Sequence, residues 1–217
     1  MMAPLRRLLM PVLLVPWLWF PDTGYGDPQS AADLLARFRQ TYPIEFRYTE
    51  TRRLELMSEP WKGSGYLFSD PDGTLVKLQI APERLIMAIV GDTMVYYESA
   101  TRRRQSAPLS YAGPMAEQIK MFRAILQGRA AELEAGFELR PRGEGGRWAL
   151  TLAGKTAVEG TAAPMRIELS GDDAGRRRHI RIHDASGDET EYAMEQSRAG
   201  SVLELPIRQL VSEATGK

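Results

Sequence analysis

Residues 61–97 read WKGSGYLFSDPDGTLVKLQIAPERLIMAIVGDTMVYY, and this stretch decides the fold. It holds four strand-like runs, WKGSGYLF, TLVKLQIA, RLIMAIV and TMVYY, separated by the short turn signals SDPDG, PE and GD. Pro71 pre-sets its own φ, Gly73 tolerates a positive one, and Gly91-Asp92 serves the same purpose before the last run. Turns this tight join neighbouring antiparallel strands, so the stretch predicts a meander. Its runs carry more apolar side chains than a strand with one solvated face needs. Such a sheet requires either a covering layer or an apolar ligand.

Working outward, Ser30 followed by Asp33 has the form of a capping box, and Leu34, Leu35, Phe38 and Tyr42 recur at helical spacing until Pro43. Ile44, Phe46 and Tyr48 then alternate with period two, with Leu54 and Leu56 in phase further on. Glu50 and Arg52 interrupt that face, which predicts a long strand with a twist or bulge. Beyond the meander, Gly113-Pro114 introduces MAEQIKMFRAILQG. There Met115, Ile119, Phe122 and Leu126 share one helical face, and Gly128 ends the helix. A shorter helical piece, AAELEA, follows. Strand patterns resume as FELRP, RWALTLA, MRIELSG, RHIRIHD and TEYAM, while the segment from Val202 to Val211, with Pro206 inside it, reads as a late strand or short helix. A helix, about five strands, two helices and about five more strands describe an α+β domain with one large curved sheet.

The start of the chain has another character. Arg6 and Arg7 precede an apolar run from Leu8 to Phe20, which relaxes into PDTGYGDPQS, the layout of a secretory signal peptide. Pro11 and Pro16 break the run, and it is too short for an ordinary membrane span. Gly24 and Gly26 favour cleavage before Asp27, giving a signal at 1–26 and a single domain at 27–217. The chain of 217 residues has 28 basic and 28 acidic side chains, so no overall charge draws it to nucleic acid. It has no cysteine, hence neither a disulfide nor a lipidation thiol. An exported, soluble monomer held together by its core is expected.

Catalytic and metal chemistry find little footing. The two histidines, His179 and His183, alternate with Ile180 and Ile182 on one strand. Four strand residues span about 13 Å, too far for both rings to share one metal ion. Ser64 lies between Gly63 and Gly65, but Lys-Gly-Ser-Gly-Tyr is not the G-x-S-x-G elbow and no strand-to-helix turn surrounds it. GEGG at 143–146 has no lysine partner and no following apolar helix, so it cradles no phosphate. No catalytic residue, metal or cofactor is assigned.

Two features remain as candidates. The helix face Met115, Ile119, Phe122, Leu126 either fills a dry core against the sheet or acts as a lid that leaves room for alkyl chains. Met57, Met87, Met94, Met115, Met121, Met165 and Met194 are flexible enough to suit irregular contents. Composition alone leaves the two readings open. The basic runs Arg102, Arg103, Arg104 and Arg176, Arg177, Arg178 lie beside turns. They serve either as solvated strand ends or as docking patches for an acidic partner or anionic headgroups.

Tyr48-Thr49-Glu50 with Arg52, then Gly65-Tyr66-Leu67-Phe68 leading to Asp70-Pro71, and then Gly91-Asp92-Thr93-Met94-Val95-Tyr96-Tyr97 occur in an order that resembles the LolA family of periplasmic lipoprotein carriers. The resemblance covers most of residues 30–195. It implies an incomplete antiparallel β-barrel of about eleven strands, with the N-terminal helix and the mid-chain helix pair as a lid, and acyl chains held inside. The side chains expected around those chains are Phe46, Tyr48, Leu67, Leu78, Ile80, Leu85, Met87, Ile89, Met94 and Tyr96. The implied partners are lipoprotein acyl chains or another lipid, an inner-membrane transporter and an outer-membrane acceptor, with no enzymatic step. The chain departs from the family at Asp70, where a basic residue usually precedes the proline, and at Glu50, where glutamine is usual. Those departures mark a divergent branch whose cargo is lipoprotein or a related lipid.

Overall fold

The computed structural model describes residues 30–144, 147–155, 164–172 and 174–217, so the expected signal at 1–26 and the last two glycines of GEGG lie outside the described residues. Helix α1 (Ala31–Ala36) starts at Ser30, whose hydroxyl accepts the Asp33 backbone N–H at 3.1 Å. It is shorter than the periodicity predicts. Phe38 lies past its end yet stays buried, whereas Tyr42 is half exposed.

The strands are β1 (Ile44–Arg53), β2 (Trp61–Ser69), β3 (Leu75–Ala81), β4 (Leu85–Val90), β5 (Thr93–Glu98) and β6 (Arg103–Pro108). Helices α2 (Pro114–Gln127) and α3 (Ala130–Gly136) follow. Then come β7 (Phe137–Glu144), β8 (Arg147–Gly154), β9 (Arg166–Asp172), β10 (Arg177–His183), β11 (Glu189–Ala199) and helix α4 (Glu204–Thr215). All eleven strands form one sheet in the order β6-β5-β4-β3-β2-β1-β11-β10-β9-β8-β7, with antiparallel neighbours. The sheet does not close. Its edges are β6 and β7, and α2 and α3 are the segment of chain that runs between them.

Strand β6 is absent from the sequence pattern because RRQSAP is polar and mostly exposed; backbone pairing with β5 makes it a strand. The first strand has a register shift against β11, but between Glu45 and Phe46 and not at Glu50 and Arg52, where the ladder is regular and Glu50 is itself buried. Leu54 and Leu56 fall beyond that strand, and Leu56 is 99% exposed.

Two apolar clusters hold the molecule together. The larger one lies on the inner face of the sheet, where Phe46, Tyr48, Leu67, Leu150, Leu169 and Ile180 meet Leu35, Phe38, Met121 and Ile125 of the helical layer. The smaller one is on the opposite face of β2–β5, where Phe68, Val76, Ile86 and Val95 are covered by Leu203, Ile207 and Ala214. The segment around Pro206 is therefore a helix. Proline fits there because it lies in the first turn, whose N–H groups have no intrahelical acceptor. The apolar excess of residues 61–97 follows: both faces of this half-sheet are covered, one by α4 and one by the inner core.

Candidate functional site

A cavity of about 370 Å³ lies between α2 and the inner face of the sheet. Its sheet wall includes Leu67, Leu75, Met87, Ile89 and Met94, and Ile119 and Phe122 of α2 form the roof. Register explains the wall. Leu75 pairs with Ile89 and Ile89 with Met94, so these three point the same way, as do Lys77, Met87 and Tyr96 in the next row. A larger hollow of about 590 Å³ lies over β1 and β8–β11, beside Trp148 and Met194, but it is an open depression rather than an enclosed chamber.

Of the side chains expected around an acyl chain, Leu67, Met87, Ile89 and Met94 line the cavity. Phe46 and Tyr48 face inward but are packed into the core beside it. Tyr96 and Leu85 share the inward register, Tyr96 opposite Met87 and Leu85 opposite Gln79, without lining the chamber. Leu78 and Ile80 require correction. Both lie on the outer face, Leu78 against the α4 cluster and Ile80 48% exposed. With both faces of β3 apolar, alternation fixes two faces without saying which is inside. In the expected lid, Ile119 and Phe122 line the cavity and Leu126 is fully buried in the core, while the Met115 side chain lies outside the described residues.

One wall of this chamber is polar. The Glu50 carboxylate, 1% exposed, accepts from Lys77 Nζ at 2.5 Å, Arg52 Nε at 2.6 Å and the Tyr192 hydroxyl at 2.9 Å. Burial opposes ionisation of Glu50, but Lys77 and Arg52 more than offset it and hold the carboxyl below its usual range. Burial likewise lowers the Lys77 ammonium, which lies 5.2 Å from the Tyr48 ring centre and 5.4 Å from that of Tyr192. Burial, then the Glu50 charge, pushes the Tyr192 phenol up.

Glycines make this cluster sterically possible. Glu50 pairs with Gly63 and Tyr48 with Gly65, so β2 has no side chain of its own at these two inward positions, the Trp61 ring lies over Gly63, and Glu50 reaches across the strand to Lys77 on β3. A Cβ on Gly65 would fall 2.0 Å from the Leu78 carbonyl oxygen. The GSG motif thus matters for its glycines. Lys77, Tyr192, Leu75 and Ile182 were missed as cavity residues; charged Glu50 and Lys77 at inward positions of apolar strands were the available signal.

The C-terminal end of α2 is tied down. Gln127 Nε2 donates to the Asp70 carbonyl at 2.9 Å, and the Leu126 carbonyl accepts from Gln40 Nε2 at 3.1 Å and from Arg178 at 3.5 Å. At Asp70, therefore, the helix is met by a backbone carbonyl rather than by a basic side chain. Arg178 lies over Phe38 and Phe46, at 4.2 and 4.7 Å, and burial pushes its guanidinium down to about 10. It is a core residue, which corrects its place in the expected docking run: strand alternation turns it inward between exposed Arg177 and half-buried His179. Arg104 is also engaged, donating to the Glu213 carbonyl near the end of α4 at 3.2 Å and stacking on Tyr97. Arg102, Arg103, Arg176 and Arg177 are exposed. His179 and His183 face Glu191 and Glu189 of β11, at 2.6 and 3.4 Å.

An unclosed antiparallel sheet with a partly open, mostly apolar cavity under a helix defines an open-barrel protein with an internal cavity. The chain belongs to the family described as outer membrane lipoprotein carrier protein LolA-like, whose model matches residues 27–197. Among solved structures, a DUF1329 family protein from Desulfovibrio piger is 13% identical, with TM-score 0.38 over 80% of this chain and 93% of that one. A LolA superfamily protein from Nitrosomonas europaea is 10% identical, with TM-score 0.39 over 81% of this chain and 96% of that one. No curated protein matches the sequence.

Proposed function

We propose that this protein is a periplasmic carrier that takes an acyl chain into the cavity under α2 and shuttles lipoprotein or a related lipid from the inner to the outer membrane. The observation that carries the proposal is the partly open cavity of about 370 Å³ walled by Leu67, Leu75, Met87, Ile89, Met94, Ile119 and Phe122. A methylene occupies about the 30 Å³ that a liquid water does, so the volume suits about a dozen carbons of one chain. At about 0.8 kcal/mol per buried methylene, such a chain binds usefully without any covalent step. Cargo would pass from an inner-membrane transporter to an outer-membrane acceptor, with α2 lifting at each exchange.

Native mass spectrometry of the purified protein should show co-purified lipid, and a fluorescent fatty acid should bind with one-site saturation. Met87→Glu puts a charge in the sheet wall and should weaken probe binding at least about tenfold while circular dichroism is unchanged. A folded protein with neither bound lipid nor probe binding would exclude the carrier role.

A further inference from the structure

The polar wall of the cavity names the class of ligand. Two cations, Lys77 and Arg52, face a single buried carboxylate, Glu50, and both cations line the chamber. Glu50 offsets one of the two charges, and an anionic group entering between Arg52 and Lys77 would offset the other. From Arg52, with 42% of its side chain exposed, to Lys77, with 14%, the cations run from the mouth inward to the apolar walls. Glu50 is the acceptor for the Lys77 ammonium among the described residues, which leaves ammonium N–H groups for a second acceptor. We infer that the cavity takes a single-chain amphiphile whose anionic head, a carboxylate or phosphate, is received by Lys77 and Arg52 while its alkyl chain fills the space beneath Phe122. This deepens the proposed carrier function and rests on it.

Two other carboxylates, Asp184 and Asp188 of the β10–β11 turn, reach the cavity rim. Backbone donors of neighbouring loops engage both. Asp184 accepts from the Ser186 and Asp188 N–H groups at 2.8 and 3.2 Å, and Asp188 from the Glu55 N–H at 2.9 Å. They bias the rim against anions, but neither forms a described ion pair with Lys77 or Arg52, whose carboxylate partner is Glu50. A cationic head is repelled by Lys77, and a neutral head gains only the weaker hydrogen bond of an uncharged acceptor.

The test compares a fluorescent fatty acid with its methyl ester on the unaltered, purified protein, so it does not depend on a variant folding. The free acid should bind about tenfold more tightly, as expected for a hydrogen bond to a charged group. Lys77→Met should bring the acid down to the affinity of the ester and leave the ester unchanged. Dodecanoate and dodecyl phosphate, used as competitors, tell a carboxylate from a phosphate head, and displacement by either supports the inference. Equal affinity for acid and ester, tighter binding of dodecyltrimethylammonium, or an equal loss for both probes in Lys77→Met would overturn it while the carrier function stands. Binding of neither probe to the folded protein removes both.

Discussion

A Cβ on Gly128 would lie 2.1 Å from the Leu35 carbonyl oxygen, and this residue has φ +66°, so two independent constraints demand glycine at the end of α2. Gly128→Ala should cost about 2 kcal/mol or more in urea unfolding, since backbone strain alone accounts for about 1–3 kcal/mol. Position 50 is the other decisive residue. The folded Glu50 carboxyl titrates below its ordinary value of 4.5, so its contribution to stability is present above that pH and is lost as the pH falls through the folded value. Wild type should accordingly be more stable than Glu50→Gln above about pH 5, and the two should converge in more acid solution, as read from thermal midpoints. A constant difference across the range would mean that Glu50 is un-ionised in the native protein. Both positions show what can be read from sequence. A glycine ending a helix is a local signal, and it was legible; the reach of Glu50 to Lys77 depends on two glycines of the strand between them, a relation that appears only once register is fixed.

Among the elements, α4 changes the meaning of the meander. The strands announced themselves by alternation and by their turns, so the antiparallel sheet was legible. Which face was inside was not, because β3 has Leu75 facing the cavity and Val76 facing α4, both apolar and both covered. The covering helix itself was ambiguous: Pro206 suits an N-terminal turn as well as a strand end. Helix α4 also begins at Glu204, past the matched residues 27–197. It is fastened at its far end by Arg84, whose guanidinium donates to both Glu213 carboxylate oxygens at 2.6 and 2.8 Å. Ile207→Ala should lower the unfolding free energy by about 2–4 kcal/mol, the range for removing a buried branched side chain. Because Ile207 belongs to the outer cluster, fatty-acid affinity in the folded variant should be unchanged. A loss of affinity without a loss of stability would show instead that α4 contributes to the cavity.

On the scale of the whole molecule, the open sheet and its helical layer create a cavity whose two walls come from parts of the chain held differently. The sheet wall is one continuous hydrogen-bonded ladder from β6 to β7. The α2 wall is anchored at its C-terminal end by Gln127, Gln40 and Arg178, whereas toward the middle of the helix Arg123 reaches the Gly91 carbonyl at 3.1 Å with an exposed bond. Local opening is easiest where few buried contacts oppose it, so the stretch of α2 from Ile119 to Phe122, over the cavity, should lift while the Gly128 end acts as the pivot. A ligand that bridges Phe122 and the Met87–Met94 wall binds only the closed arrangement. By mass action it adds about 2.7 kcal/mol when present at a hundred times its dissociation constant. The same concentration of fatty acid should therefore raise the thermal midpoint of wild type clearly more than that of Met87→Glu. In hydrogen exchange, the gain in protection should be largest at residues 118–122 and small in β7–β9, which lie away from the chamber. If protection instead rose evenly along the chain, ligand binding would be stabilising the molecule globally without closing α2, and the pivot at Gly128 would have no part in loading.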